Sequence, residues 1–156
     1  MRRTDRQQSE AFALSVLHQS QYATLSMASR DGSPYAIPIS IVCEDRSIYF
    51  HCAMEGKKVE LLRENPTVCI SCVAQAEAAS DSFTMYYQSA IAFGIAKEVI
   101  LPDEKIHALR LLSQRFTSNN MKNFSEAIEQ SLSHTSVWVV PIEQISGKSN
   151  SAPTRK

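Results

Sequence analysis

The chain has no excess charge of either sign. Sixteen lysines and arginines balance sixteen aspartates and glutamates, for a formal net charge of zero. A protein that holds nucleic acid or an anionic membrane surface ordinarily shows a basic surplus, so neither partner is expected. The small cluster of Arg2, Arg3 and Arg6 reads as a solvated tail. No apolar run approaches the roughly 20 residues that cross a bilayer. Met1-Arg2-Arg3 leads into TDRQQSE and not into an apolar segment, so no secretory leader is expected and the protein reads as soluble and cytoplasmic. There are no internal repeats and no interdomain linker. The phosphate-loop spacing GxxxxGK followed by Ser or Thr is missing, and so is any nicotinamide fingerprint. The cysteines number four, and in a cytosolic chain Cys43, Cys52, Cys69 and Cys72 are expected to be reduced. Cys69 and Cys72 match C-x-x-C, but within the strand-like TVCISCV they point to opposite faces. That geometry removes both a chelate and a redox pair, and no metal site is expected.

What is present fits one domain: 156 residues, 44% of them hydrophobic. Thr4-x-x-Gln7 has the spacing of a capping box, and Phe12, Ala13, Val16 and Leu17 predict an amphipathic helix from about Asp5 to Gln19. From Tyr22 the period shortens to two. YATLSMAS, the turn signal Asp31-Gly32, SPYAIPISIVCE and SIYFHC predict an antiparallel meander. Pro38 cannot donate to a ladder, so it marks an edge, a bulge or an opening in the sheet. A short helix from Lys57 to Asn65 follows, then the strand TVCISCVA, a loop at QAEAASDS and a long strand bent at Gly94. Pro102 with Asp103 and Glu104 opens a further helix, TSNN breaks it, and another runs from about Met121 to Leu132. TSVWVVPIEQI closes the chain, and GKSNSAPTRK reads as a polar, disordered tail. The fold class expected is mainly β with helices: a split antiparallel barrel of about six strands with helices packed at its ends. The domain is expected to span residues 1–148, with a tail over 149–156.

The most informative stretch is YFHCAMEGKKVELLRENP, residues 49–66. A strand ends at His51 and Cys52, a small-residue turn follows, and Lys57 and Lys58 stand at a helix start. Free N–H groups and the helix dipole favour an anion there, and the lysines add full charges. In isolation a Gly-Lys-Lys fits a solvated helix face equally well. Read alone, His51 is a structural strand-end residue, Cys52 a packed small hydrophobe and Trp138 a core residue.

SPYAIPISIV, IYFHCAMEGKKVELLRENPTVCISCV, YYQSAIAFGIAKEV and VWVVPIEQISGK together resemble the FMN-binding split β-barrel superfamily of pyridoxamine 5′-phosphate oxidase, and within it the 5-nitroimidazole-resistance group. The resemblance implies a homodimer with flavin at the subunit interface, acting as an oxidoreductase on a small-molecule electrophile. FMN is the cofactor implied; FAD presents a phosphate to the same cradle. The alternative is a flavin- or haem-binding protein without turnover, with His51 as an axial ligand. By position, Ile37, Pro38, Ile39 and Ser40 would lie along the flavin ring, and Lys57 and Lys58 would hold its phosphate. Ser89 falls near a polar contact, and Trp138 and Lys148 would reach the flavin from the partner subunit. His51, with Cys52 beside it, would stand at the flavin face, where His51 is the expected catalytic group. One departure matters. The C-terminal arginines and histidine with which the oxidase holds pyridoxal phosphate have no counterpart beyond Arg155, which argues against pyridoxamine-phosphate oxidation.

Overall fold

The computed structural model describes residues 2–80 and 82–151. A helical turn at Thr4–Arg6 precedes β1 (Gln7–Gln8) and α1 (Glu10–Gln19). Four strands follow: β2 (Ala23–Ala28), β3 (Pro34–Ile39), β4 (Val42–Glu44) and β5 (Ser47–Ala53). Then come α2 (Lys57–Glu64), β6 (Thr67–Ala78), β7 (Met85–Ile95), β8 (Lys97–Glu98), α3 (Pro102–Phe116), α4 (Phe124–Ser131) and β9 (Thr135–Asn150). All pairings are antiparallel, in the order β3-β2-β6-β7-β9-β5-β4, with β1 and β8 added along β9. The path does not close. Its two edges, β3 and β4, are consecutive in the chain, so Ser40 and Ile41 step across the split from one edge to the other.

Alternation decides what each face of the sheet meets. Phe50 and Ile48 of β5, with Trp138, Val140 and Ile142 of β9, point into the barrel. There they pack with Leu25 and Ile70 of the neighbouring strands, Val16 and Leu17 of α1, and Leu62 of α2. Tyr49, Val137 and Val139 take the opposite phase and meet a second core made by Leu109 of α3 and Phe124 of α4. β5 and β9 are therefore covered on both faces, with α3 and α4 lying against the outer one.

The sheet bends where the register slips, between Val73 and Gln75 on β6 and between Phe93 and Gly94 on β7. At the second slip a Cβ on Gly94 would stand 2.2 Å from the Pro141 carbonyl oxygen. Only glycine permits that approach of β7 to β9.

Four readings of the sequence need correction. The first helix is capped by Ser9, whose Oγ accepts from the Phe12 N–H at 3.2 Å. The Thr4 box does not form, because Gln7 and Gln8 instead pair with Lys148 and Gly147. Residues 75–78, read as a loop, continue β6 against Tyr87, Tyr86 and Met85. The last helix begins at Phe124, after a 3-10 turn over Ser118–Asn123. The polar tail is strand as far as Asn150, with Ser149 opposite Gln88 and Asn150 opposite Tyr87. Arg155 lies outside the described residues.

Candidate functional site

Gly56 begins α2 with φ +112°, a backbone state that L side chains rarely adopt, and no side chain caps the first turn. The N–H groups at the start of the helix are thus left for solvent or for a ligand. Lys57 is exposed and Lys58 half-buried. No carboxylate among the described residues pairs with either lysine. The Lys57 ammonium sits 4.6 Å from the centre of the Tyr35 ring, which brings the helix start against β3. The other end of α2 is clamped. Arg63 grips Glu98 through Nε and Nη2 at 3.0–3.3 Å, and Glu98 accepts from the buried Ser136 hydroxyl at 2.9 Å. The lysine pair is therefore presented by a helix fixed to β8 and β9.

β3 is the sheet's edge, so Pro38 is tolerated where its missing N–H faces outward. Tyr35, Ile37 and Ile39 turn inward and pack against the barrel core, while Ala36, Pro38 and Ser40 are exposed. What this segment offers a ligand is its free backbone edge and the Ser40 hydroxyl.

Ser40 and His51 both line a cavity of about 260 Å³ whose walls come mostly from α3 and α4. His51 is open to solvent on one side and lines this cavity with the other. Burial, and then the charge of Lys58, pushes its imidazole below the ordinary value. The neutral ring offers one donor and one acceptor. The unfolded chain takes a proton at about pH 6.5, before the folded imidazole does, so stability falls as pH drops through that interval. In a His51→Gln variant this part of the pH–stability curve is expected to flatten, measured by thermal melts across about pH 5–7. An unchanged slope would assign the acid sensitivity to another group.

Two expected contacts are displaced. Trp138 is 2% exposed and belongs to the barrel core, because alternation along β9 turns it inward with Val140 and Ile142. It is the one residue among those described with a buried side-chain donor, Nε1, that lacks a partner. It offers no surface to a cofactor held outside the barrel. Cys52 packs on the barrel side too, opposite in phase to His51, and burial raises its thiol pKa, so it is a protonated filler. Ser89 and Lys148 are cross-strand partners on β7 and β9, with the Ser89 hydroxyl 3.4 Å from the Lys148 carbonyl. Nearly the whole length of β9 separates them from Val137, which faces His51. Within one chain the site thus gathers the β3 edge, Ser40, His51, Lys57 and Lys58, and leaves Ser89 and Lys148 elsewhere.

Sequence reasoning overlooked three features. One is Tyr35 beneath Lys57. A second is the cavity wall of Leu109, Leu112, Phe124 and Ile128. The third is Arg115 at the end of α3, which donates to the carbonyls of Ile41 at 2.9 Å, Leu17 at 3.0 Å and Ser20 at 2.5 Å. It ties the strand break to the end of α1. All three depend on contacts distant in sequence; only the apolar spacing of α3 and α4 was a local signal.

The model of the family described as pyridoxamine 5′-phosphate oxidase matches residues 9–149. A protein from Bacteroides thetaiotaomicron, described as a candidate 5-nitroimidazole antibiotic resistance protein, has 26% identity to the chain and a TM-score of 0.76. That match covers 90% of this chain and 84% of the other. The FAD- and haem-binding protein of Mycobacterium smegmatis (23% identity, TM-score 0.80, 97% of this chain and 77% of that one) shares the fold. So does a flavocytochrome of Azotobacter vinelandii (16% identity, TM-score 0.79, 95% and 70%). No curated protein matches the chain.

Proposed function

The chain belongs to the pyridoxamine 5′-phosphate oxidase family, and from that premise we propose that it is a flavoprotein that binds FMN and acts as an oxidoreductase on a small electrophile. The observation that carries this reading is the uncapped start of α2, where two lysines that no carboxylate among the described residues pairs, and free N–H groups, stand beside the open edge of β3. That donor set fits a dianionic phosphate at one end and a flat ring system along a strand edge at the other. When bound, the flavin itself supplies the electron-transfer chemistry. Lys57 and Lys58 anchor it. The backbone from Ile37 to Ser40 orients the ring, and α3 and α4 wall the cavity that His51 lines. His51, whose proton affinity is lowered by partial burial and by Lys58, is the group that would hold or pass a proton to a substrate. The likeness to the Bacteroides protein supports a nitroimidazole-type electrophile as the substrate class. FAD fits the same phosphate cradle.

The reading includes a homodimer. Ile91, Phe93 and Ile95 of β7 are 40%, 44% and 41% exposed and lie beside Val73 of β6 on the outer face of the sheet. An apolar patch of this kind supports a subunit contact. Ser89 and Lys148 take the same outward phase at its border. Across a two-fold axis they are the residues that would reach a partner's flavin, a role that Trp138 does not fill.

The test is the visible spectrum of the purified protein, before and after incubation with FMN. The expected result is the two bands of an oxidised flavin, bleached by dithionite. A Soret band would transfer the site to haem with His51 as ligand, and a protein colourless under both conditions would remove the flavin.

A further inference from the structure

A lysine head is a hydrated point charge on a long flexible stem, and an anion that must freeze it loses part of its binding free energy. Two kinds of neighbour can hold such a head beforehand. A carboxylate holds it but cancels its charge and competes with the incoming anion. An aromatic ring attracts the cation through its quadrupole and carries no formal charge. Lys57 has the second kind of neighbour. Its ammonium lies 4.6 Å from the centre of the Tyr35 ring. Glu55 and Glu60, close to it in sequence, form no ion pair with it. Lys58 has no aromatic partner among the described residues.

Ring and lysine are fixed by different elements. Tyr35 pairs with Met27 in the β2–β3 hairpin and packs half-buried against the barrel core. Lys57 rides on α2, whose far end Arg63 ties to Glu98. The contact therefore joins the helix start to the sheet edge at a chosen point. Tyr35 precedes the Ile37–Ser40 segment on the chain, so it also marks which end of that edge takes the anion.

We infer that Tyr35 is a positioning residue for the anion site: its ring holds the Lys57 ammonium against β3 without neutralising it, and so raises the site's affinity for a phosphate group. The inference rests on the flavin reading of the preceding subsection for its ligand, though not for the contact. Its corollary is that Tyr35 sets a preference for FMN over riboflavin, the same ring system without the phosphate.

Three measurements on the purified full-length protein test this. In the NMR spectrum of the flavin-free protein, the Cε–Hε signals of Lys57, assigned by their loss in Lys57→Ala, are expected to be ring-shifted in the parent and in Tyr35→Phe. In Tyr35→Leu, which keeps apolar bulk against the core, they should move to ordinary positions. Fluorescence titration should find FMN bound about two- to five-fold more weakly by Tyr35→Leu, in line with a partly exposed cation–π contact. Riboflavin affinity should stay unchanged, Tyr35→Phe should bind FMN like the parent, and in a Lys57→Ala background Tyr35→Leu should add nothing. Inorganic phosphate, titrated against the Lys57 signals, should also bind more weakly to Tyr35→Leu. The inference fails if Lys57 shows no ring shift, if Tyr35→Leu binds FMN and phosphate as the parent does, or if riboflavin weakens by the same factor as FMN. A protein that takes up no flavin but shows the Tyr35-dependent phosphate response would keep this inference and remove the flavin reading. A yellow protein indifferent to Tyr35→Leu would do the reverse.

Discussion

Alanine at both Lys57 and Lys58 is expected to weaken flavin binding by roughly 10²- to 10⁴-fold. Each lysine offers a charge-assisted hydrogen bond to the phosphate, contributing about 1.5–3 kcal/mol, and about 1.4 kcal/mol is a factor of ten in affinity. The protein should then purify with little bound flavin and regain it only at high concentration. Nothing in the fold should suffer, since Lys57 is exposed, Lys58 half-buried and neither is engaged in an ion pair among the described residues. The two heads are not equivalent. Lys57 is already placed over Tyr35, whereas Lys58 also acts on His51. Lys58→Ala alone should therefore raise the His51 pKa, which NMR titration of the imidazole would read. Arginine at both positions is expected to retain the cofactor. Normal affinity in the double alanine variant, by fluorescence titration, would end the phosphate assignment.

The second large effect is expected at Arg115. Its guanidinium serves three carbonyl oxygens from two separate parts of the chain: Leu17 and Ser20 at the end of α1, and Ile41 at the split. Arg115→Ala leaves those acceptors to whatever water can enter and deletes an apolar stem. A loss of about 2–4 kcal/mol follows from hydrogen bonds to a charged group, discounted for partial exposure. For a chain of this length that corresponds to a melting temperature lower by about 5–15 °C. Arg115→Lys should recover only part of it, because an ammonium has no planar fork. A melting temperature within a degree or two of the parent would show that the three contacts are dispensable. The effect should also reach the site, since Ile41 follows Ser40 directly and α3 walls the cavity.

How much of this was legible in the sequence varies with how local its cause is. The β2–β3 hairpin follows from Asp31-Gly32 and period-two alternation, and α2 from its lysines and Asn65-Pro66; each signal lies within a few residues of its effect. Pro38 announced an edge because a missing donor is a local property. The strand at residues 75–78 was hidden, because it is exposed and shows no apolar pattern. Its only cause is the partner strand β7. The tail was hidden for the same reason, since GKSN is strand through its pairing with β7 and β1. Trp138 is the instructive case. VWVVPI is apolar in both phases because α3 and α4 cover one face of β9 and the barrel core the other. The sequence there holds no alternation to say which way the indole turns. The lysine pair was visible as a candidate, but its setting, with Tyr35 beside it and the Arg63–Glu98 clamp behind it, arrives from elsewhere.

The prolines of β3 have a consequence beyond the ligand. An unpaired edge strand ordinarily recruits another strand, and association then spreads along the edge. Here the outward row of the backbone has lost its N–H groups at Pro34 and Pro38, so it keeps acceptors and few donors. An approaching strand needs both in alternation and cannot zip along such an edge. A compact ligand needs only one or two contacts, so the edge proposed to take a cofactor is also protected against aggregation.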